Sequence, residues 1–154
     1  MKNFMNLQEE ILEFKIAKSK KELEACFNIR NQVFTNEQNV DPKIERDSKE
    51  AVATHFLAFS DKMPVGTARF FKVNEDSAKI SRVAVLSKYR GKQIGKVLIN
   101  EIIEYSKKLG ISTLILSSQS SVIEFYERFG FRVQGEEFLE ANIPHYKMHL
   151  DINK

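Results

Sequence analysis

The chain predicts an α/β fold: a mixed, mostly antiparallel central sheet flanked by helices. Three features carry this. Three β-rich runs between His55 and Val85 are separated only by short polar turns, which makes them antiparallel neighbours. From Lys92 the apolar spacing becomes helical, and the β-branched run Ser112–Leu116 follows it, so that strand is reached through a helical crossover. Two helical stretches stop at glycines, Gly110 and Gly130.

The elements follow in order. Residues 1–10 read as a loose lead-in. Leu12, Phe14 and Ile16 alternate with charged residues and form a first strand. Ser19 with Glu22 makes a capping box for a helix from about Lys20 to Phe34. Leu23, Phe27 and Phe34 line its apolar face, and Arg30 falls on the same stripe, where a buried guanidinium needs a carboxylate such as Glu37 or Asp47. Residues 35–50 are polar, contain Pro42, and read as a loop or a short irregular helix.

Strands His55–Phe59 and Val65–Val73 form a hairpin, and Asn74–Ser77 turns the chain into a third run, Ala78–Val85. Ile94, Leu98, Ile102, Tyr105 and Leu109 recur at helical spacing. A second helix runs from about Ser120 to Phe129, and Phe131–Val133 and His145–Leu150 read as strands. In the latter, Tyr146, Met148 and Leu150 share one face and His145, Lys147 and His149 the other. The order is β-α-β-β-β-α-β-α-β-β.

With 154 residues and no repeat or linker, one domain spanning 1–154 is expected. A net charge of +3 is too mild to argue for nucleic acid, and no apolar run is long enough to span a membrane. The N-terminus lacks the apolar block of a leader, and the lone Cys26 fits a reducing cytoplasm. His145 and His149 are four residues apart but on a strand, so no metal is expected.

Arg90-Gly91-Lys92-Gln93-Ile94-Gly95-Lys96 joins a strand to a helix, and helix N-termini attract anions. A nucleotide P-loop is excluded: three residues rather than four separate Gly91 from Gly95, and Val97 stands where a hydroxyl is required. The dinucleotide Gly-x-Gly-x-x-Gly is also absent. From Ser77 to Asn100 there are six basic residues (Lys79, Arg82, Lys88, Arg90, Lys92, Lys96) and no acid, a field suited to a phosphate-rich ligand.

Arg90–Gly95, preceded by Ile80–Val85, resembles the Arg/Gln-x-x-Gly-x-Gly/Ala motif of the GNAT superfamily of acyl-CoA-dependent N-acyltransferases. Gln93 departs from it, standing where the motif has glycine; its N–H is still offered if its φ is helical, so altered affinity rather than lost binding is expected. Phe125-Tyr126-Glu127-Arg128-Phe129-Gly130-Phe131 resembles the Phe-Tyr-x-x-x-Gly-Phe segment of the same superfamily. Gly135–Glu140, Ile143-Pro144-His145 and Met148 are similar to a small bacterial ElaA-like subgroup. So are Arg30–Phe34 with Glu37-Gln38, and Ala53–Leu57; the resemblance covers about residues 15–150.

This resemblance implies acetyl-CoA or CoA as co-substrate, and direct attack by a primary amine in a ternary complex. The acceptor is a small molecule or a peptide. CoA would lie along Val83, Ala84, Val85, Arg90, Gly91, Lys92, Gln93, Ile94, Gly95, Lys96, Gln119, Phe125 and Tyr126. The Val85 N–H would stabilise the oxyanion, Tyr126 would protonate the thiolate, and Glu37 would serve as base, with Glu140 and His145 as further acceptor-side candidates. A CoA-binding module without catalysis and an acyl-homoserine lactone synthase are alternative readings. Exposed sheet edges leave room for a homodimer.

Overall fold

The computed structural model of the protein describes residues 2–5 and 10–152. These residues form eight strands: β1 (Lys2–Met5), β2 (Ile11–Ile16), β3 (Thr54–Ser60), β4 (Met63–Lys72), β5 (Ser77–Val85), β6 (Thr113–Gln119), β7 (Arg132–Glu140) and β8 (Ile143–Asp151). The helices are α1 (Lys20–Arg30), α2 (Pro42–Glu45), α3 (Ile94–Lys108) and α4 (Ile123–Glu127). The sheet order is β1-β2-β3-β4-β5-β6-β8-β7, with β5–β6 as its parallel pair and every other neighbour antiparallel.

The expected lead-in needs correction. Lys2–Met5 pairs with β2, Lys2 opposite Phe14 and Met5 opposite Ile11, so a strand precedes the expected order. Residues 6–9 lie outside the described set. The Ser19 capping box is formed, with the Ser19 hydroxyl accepting from the Glu22 N–H and the Glu22 carboxylate from the Ser19 N–H. The helix does not stop at Phe34. It widens at Asn31 into a π-helical segment that ends at Glu37. The C-terminal strand is also longer than Phe131–Val133: β7 reaches Glu140 and turns into β8 through Ala141 and Asn142, both at positive φ. Its alternation is hidden by an irregularity between Gln134 and Phe138 and by residues that are exposed throughout.

Two cores cover the two faces of the sheet. The larger packs Ile94, Leu98, Ile99 and Ile102 of α3 against Phe56, Phe70, Ala78, Ile80, Leu114 and Leu116. The smaller packs Cys26, Ile29 and Val33 against Leu57 and Ala84. Strand β5 changes face within its length. Ala78 and Ile80 join the α3 side, yet Ala84 joins the α1 side and Val83 and Val85 pack towards α3. One extra residue causes this. Thr67 lies opposite Ala84 but Arg69 lies opposite Ser81, so two steps of β4 face three of β5, and Arg82 in the bulge adopts φ 52°.

A closed ring of six charges holds the bulge and the 45–50 segment together. Arg30 bonds Glu45 (2.9 Å) and Glu50 (2.7 Å); Arg69 bonds Glu50 (3.0 Å) and Asp47 (2.7 Å); Arg82 bonds Asp47 (3.3 Å) and Glu45 (3.1 Å). The partners of Arg30 are thus Glu45 and Glu50, rather than Glu37 or Asp47. Burial alone would raise the Glu50 carboxyl, but hydrogen bonds and charge from Arg30, the charge of Arg69 and the Asp47 N–H outweigh it and bring it to about 2. A carboxyl whose folded value lies below its ordinary 4.5 contributes its full stability above that value and loses it as pH falls towards about 2. Urea unfolding of the wild type should therefore weaken across this acid window. Glu50→Gln should lose about 3–5 kcal/mol at neutral pH, because two guanidiniums are left short of a carboxylate, and its stability should be flatter across the same window.

Candidate active site

Strands β5 and β6 pair over three positions only, Ser77–Lys79 with Thr113–Ile115. Beyond them a cavity of about 730 Å³ is lined by Ile80–Val85 on one side and Leu116–Gln119 on the other, with Tyr126 and His145 also in its wall. The Leu86 N–H donates to the Val65 carbonyl on β4 at 2.9 Å. Backbone groups alternate along a strand, so the Val85 N–H faces away from β4, towards the cleft. The Val85 carbonyl does the same and accepts from Arg90 Nε at 3.0 Å.

The turn that follows leaves the start of α3 uncapped by any side chain. A 3₁₀ turn, Ser87–Tyr89, leads to Gly91 at φ 79°, with open space where a Cβ would stand. The first turn of α3 has no acidic residue and no side-chain cap, so its leading N–H groups are available. Gln93 is not helical as expected: it is the N-cap at φ 67° and ψ 13°, the left-handed region. That explains why glycine belongs at this place in the motif. Ile94 is buried in the core and offers only its N–H, while Lys96 is exposed. At Gly95 an added Cβ would stand 3.3 Å from the Phe125 ring, so the helix start and α4 meet there. Phe125 in turn packs edge-on against Tyr126.

Several residues expected at the cofactor are engaged elsewhere. Arg90 Nη2 bonds Glu37 at 2.9 Å, and Lys92 pairs with Glu10 and lies over the Tyr89 ring. Gln119 Nε2 donates to Gln38 Oε1 at 2.9 Å, which ties β6 to the end of the π-helical segment. Lys79 and Arg82 line the cleft itself rather than the helix start. Among the candidate bases, Glu37 is drawn to Arg90 and is not part of the cavity wall, whereas Glu140 and His145 are. His145 Nδ1 lies 2.6 Å from the Ile143 carbonyl. A carbonyl only accepts, so Nδ1 carries a proton, and Nε2 faces Glu140 at 3.6 Å. Tyr126 is buried, and burial pushes its phenol well above its usual value. Gln38 and the cleft positions of Lys79 and Arg82 escape sequence reasoning. For Arg82 the missing signal is the shift of face that the β5 bulge imposes, and for Gln38 it is the π-helical widening before it.

A parted parallel pair beside an uncapped helix N-terminus places a cleft and an anion-attracting helix start side by side. The Acetyltransferase (GNAT) domain pattern matches residues 14–152, and the chain belongs to this GNAT acetyltransferase family. Its relatives include YjcF of Bacillus subtilis, named as an uncharacterized N-acetyltransferase, 34% identical over 88% of this chain and 97% of that one. Protein ElaA of Escherichia coli is 29% identical over 85% of this chain and 88% of its own, and its crystal structure superposes with a TM-score of 0.80, covering 90% of this chain and 98% of that one. An acyl-CoA N-acyltransferase from Pseudomonas aeruginosa superposes with a TM-score of 0.81 at 28% identity, covering 90% and 98% of the two chains. The protein is thus an N-acetyltransferase of ElaA-like type with acetyl-CoA as co-substrate, performing acyl-CoA-dependent transfer to an amine. Among the described residues no helix is long and apolar enough to cross a membrane.

A non-glycine residue in the left-handed region carries strain of about 1–2 kcal/mol. Part of that is offset because glycine gains more freedom when unfolded. Gln93→Gly should therefore raise stability by up to about 1 kcal/mol, a rise of roughly 2–4 °C in Tm by calorimetry without ligand. An unchanged or lower Tm would mean that the glutamine side chain offsets its own strain.

Proposed function

We propose that the protein transfers the acetyl group of acetyl-CoA to a primary amine by direct attack in a ternary complex, inside the cleft between β5 and β6. The observation that carries this reading is the convergence of the Val85 backbone, Tyr126 and His145 on that one cleft, next to the open N-terminus of α3. In this reading the pyrophosphate of CoA rests on the leading N–H groups of α3, and Gln93, in the backbone conformation of the motif glycine, still supplies one of them.

The amine nitrogen attacks the thioester carbonyl carbon, and the carbonyl oxygen becomes an oxyanion at the Val85 N–H. His145 Nε2 takes a proton from the nitrogen, with Glu140 balancing the imidazolium that results. The C–S bond then breaks, and CoA leaves as thiolate towards the Tyr126 hydroxyl. A phenol whose pKa is raised by burial stays neutral, so Tyr126 serves chiefly as a hydrogen-bond donor to the sulfur. His145 displaces Glu37 as first choice for the base because it lines the cleft and its acceptor nitrogen is not held by a guanidinium.

Two measurements test this. CoA at millimolar concentration should raise Tm progressively with ligand; about 2.7 kcal/mol of stabilisation is expected at a hundred times Kd, and no shift would overturn the reading. With any amine that turns over, His145→Gln should lower kcat by roughly a hundredfold or more while CoA binding is retained. Unchanged kcat in that variant would return the base role to Glu37 or Glu140.

A further inference from the structure

On the α1-facing side of β5, Lys79 and Ser81 line the cleft by ordinary alternation, and the bulge adds Arg82 to them. Their charges can be followed one by one. Glu45, Asp47 and Glu50 are each shared by two guanidiniums of the ring, so three carboxylates answer three arginines and the ring is closed. Arg82 directs its Nε to Glu45 and its Nη2 to Asp47, and its Nη1 has no hydrogen-bond acceptor among the described residues. Arg82, in the bulge at φ 52°, is among the residues that line the cleft. Lys79, half-buried where the two strands part, forms no ion pair with an acid of the described residues. Among the described residues the cleft thus holds an ammonium with no acid partner and, beside it on β5, a guanidinium whose Nη1 has no acceptor, with Glu140 in another part of the wall.

We propose that the acceptor is an amine that also bears a carboxylate, an amino acid in the broad sense, with the carboxylate held between Lys79 and Arg82 and the amine directed to the thioester. This rests on the transfer reaction proposed above. A planar carboxylate matches the edge of a guanidinium, and anchoring that end orients the nitrogen, which a lone amine on a cationic wall would not achieve. An unsubstituted amine arrives as ammonium and is repelled by the same two groups.

The test compares three compounds with one side chain: an L-amino acid, its carboxamide and the corresponding decarboxylated amine, run over several side chains against acetyl-CoA. The acid should show kcat/KM on the order of tenfold or more above the other two. Lys79→Gln, which leaves the ring intact, should erase most of that preference by raising KM for the acid alone. Equal or better turnover of the amide or amine, with CoA bound and transfer observed, would overturn the acceptor class and leave the transfer reaction standing. If CoA binds but no compound turns over, calorimetry of the CoA complex decides: tighter binding of acid than amide, lost in Lys79→Gln, supports the proposal, and equal binding overturns it. Failure of CoA to bind would overturn the transfer reaction and this inference with it.

Discussion

The ring of Arg30, Glu45, Arg82, Asp47, Arg69 and Glu50 is the interaction on which the rest of the site depends. It gathers four separate stretches of chain: helix α1, the 45–50 segment, β4 and β5. Taking six charges from water is expensive, and a buried ion pair seldom yields net stability in return. What alternation provides is geometry. Each carboxylate faces two guanidiniums and each guanidinium two carboxylates, so displacing one member breaks two pairs. The ring also ties down the Arg82 side chain at the bulge, where the backbone is left-handed.

Holding the bulge has two consequences. A bulge increases local twist, and β5 leaves β6 after Lys79, a few residues before it. The bulge also reverses which face each residue of β5 addresses. Ala84 seals the smaller core under α1 and Val83 and Val85 pack towards α3, while the Val85 N–H remains aimed at the gap. One inserted residue therefore shapes the two sides of the cleft: Val83 and Val85 towards α3 and its N-terminus, and Arg82 towards α1.

The local signals in the chain are readable because each is encoded in a few neighbouring residues. Ser19 with Glu22, the two hairpins, the helical spacing from Ile94 and the stop at Gly110 become the elements they foretell, while the helix expected from Ser120 to Phe129 is a 3₁₀ turn followed by the short α4, which ends at Glu127. What escapes depends on partners far along the chain. Lys79 and Arg82 read as members of a phosphate-attracting run with Arg90 and Lys92, because spacing alone cannot reveal a bulge. Arg90 is met by Glu37, 53 residues away, and Lys92 by Glu10, 82 residues away. The π-helical widening that carries the chain past Phe34 to Gln38 has no signature in apolar periodicity, and Gln38 shows its meaning only opposite Gln119. Gln93 is the converse case: its departure from glycine is visible at once, but the left-handed backbone that makes the departure unfavourable emerges only in three dimensions.

The buried phenol at Tyr126 constrains how protons move in the proposed transfer. An ordinary phenol near 10 would sit close enough to a thiol to pass its proton to the leaving sulfur. Burial raises Tyr126 further from that match, so outright donation becomes uphill while hydrogen bonding to a thiolate becomes stronger relative to water. Direct transfer nevertheless releases a proton when an amine becomes an amide, and the thiolate is the natural final acceptor. His145 lies on the same cleft with its Nδ1 turned to the Ile143 carbonyl and its Nε2 to Glu140, which is placed to steady an imidazolium in the interval. The simplest route is then a single proton passing from amine to imidazole and on to sulfur, with Tyr126 stabilising the charge that waits for it.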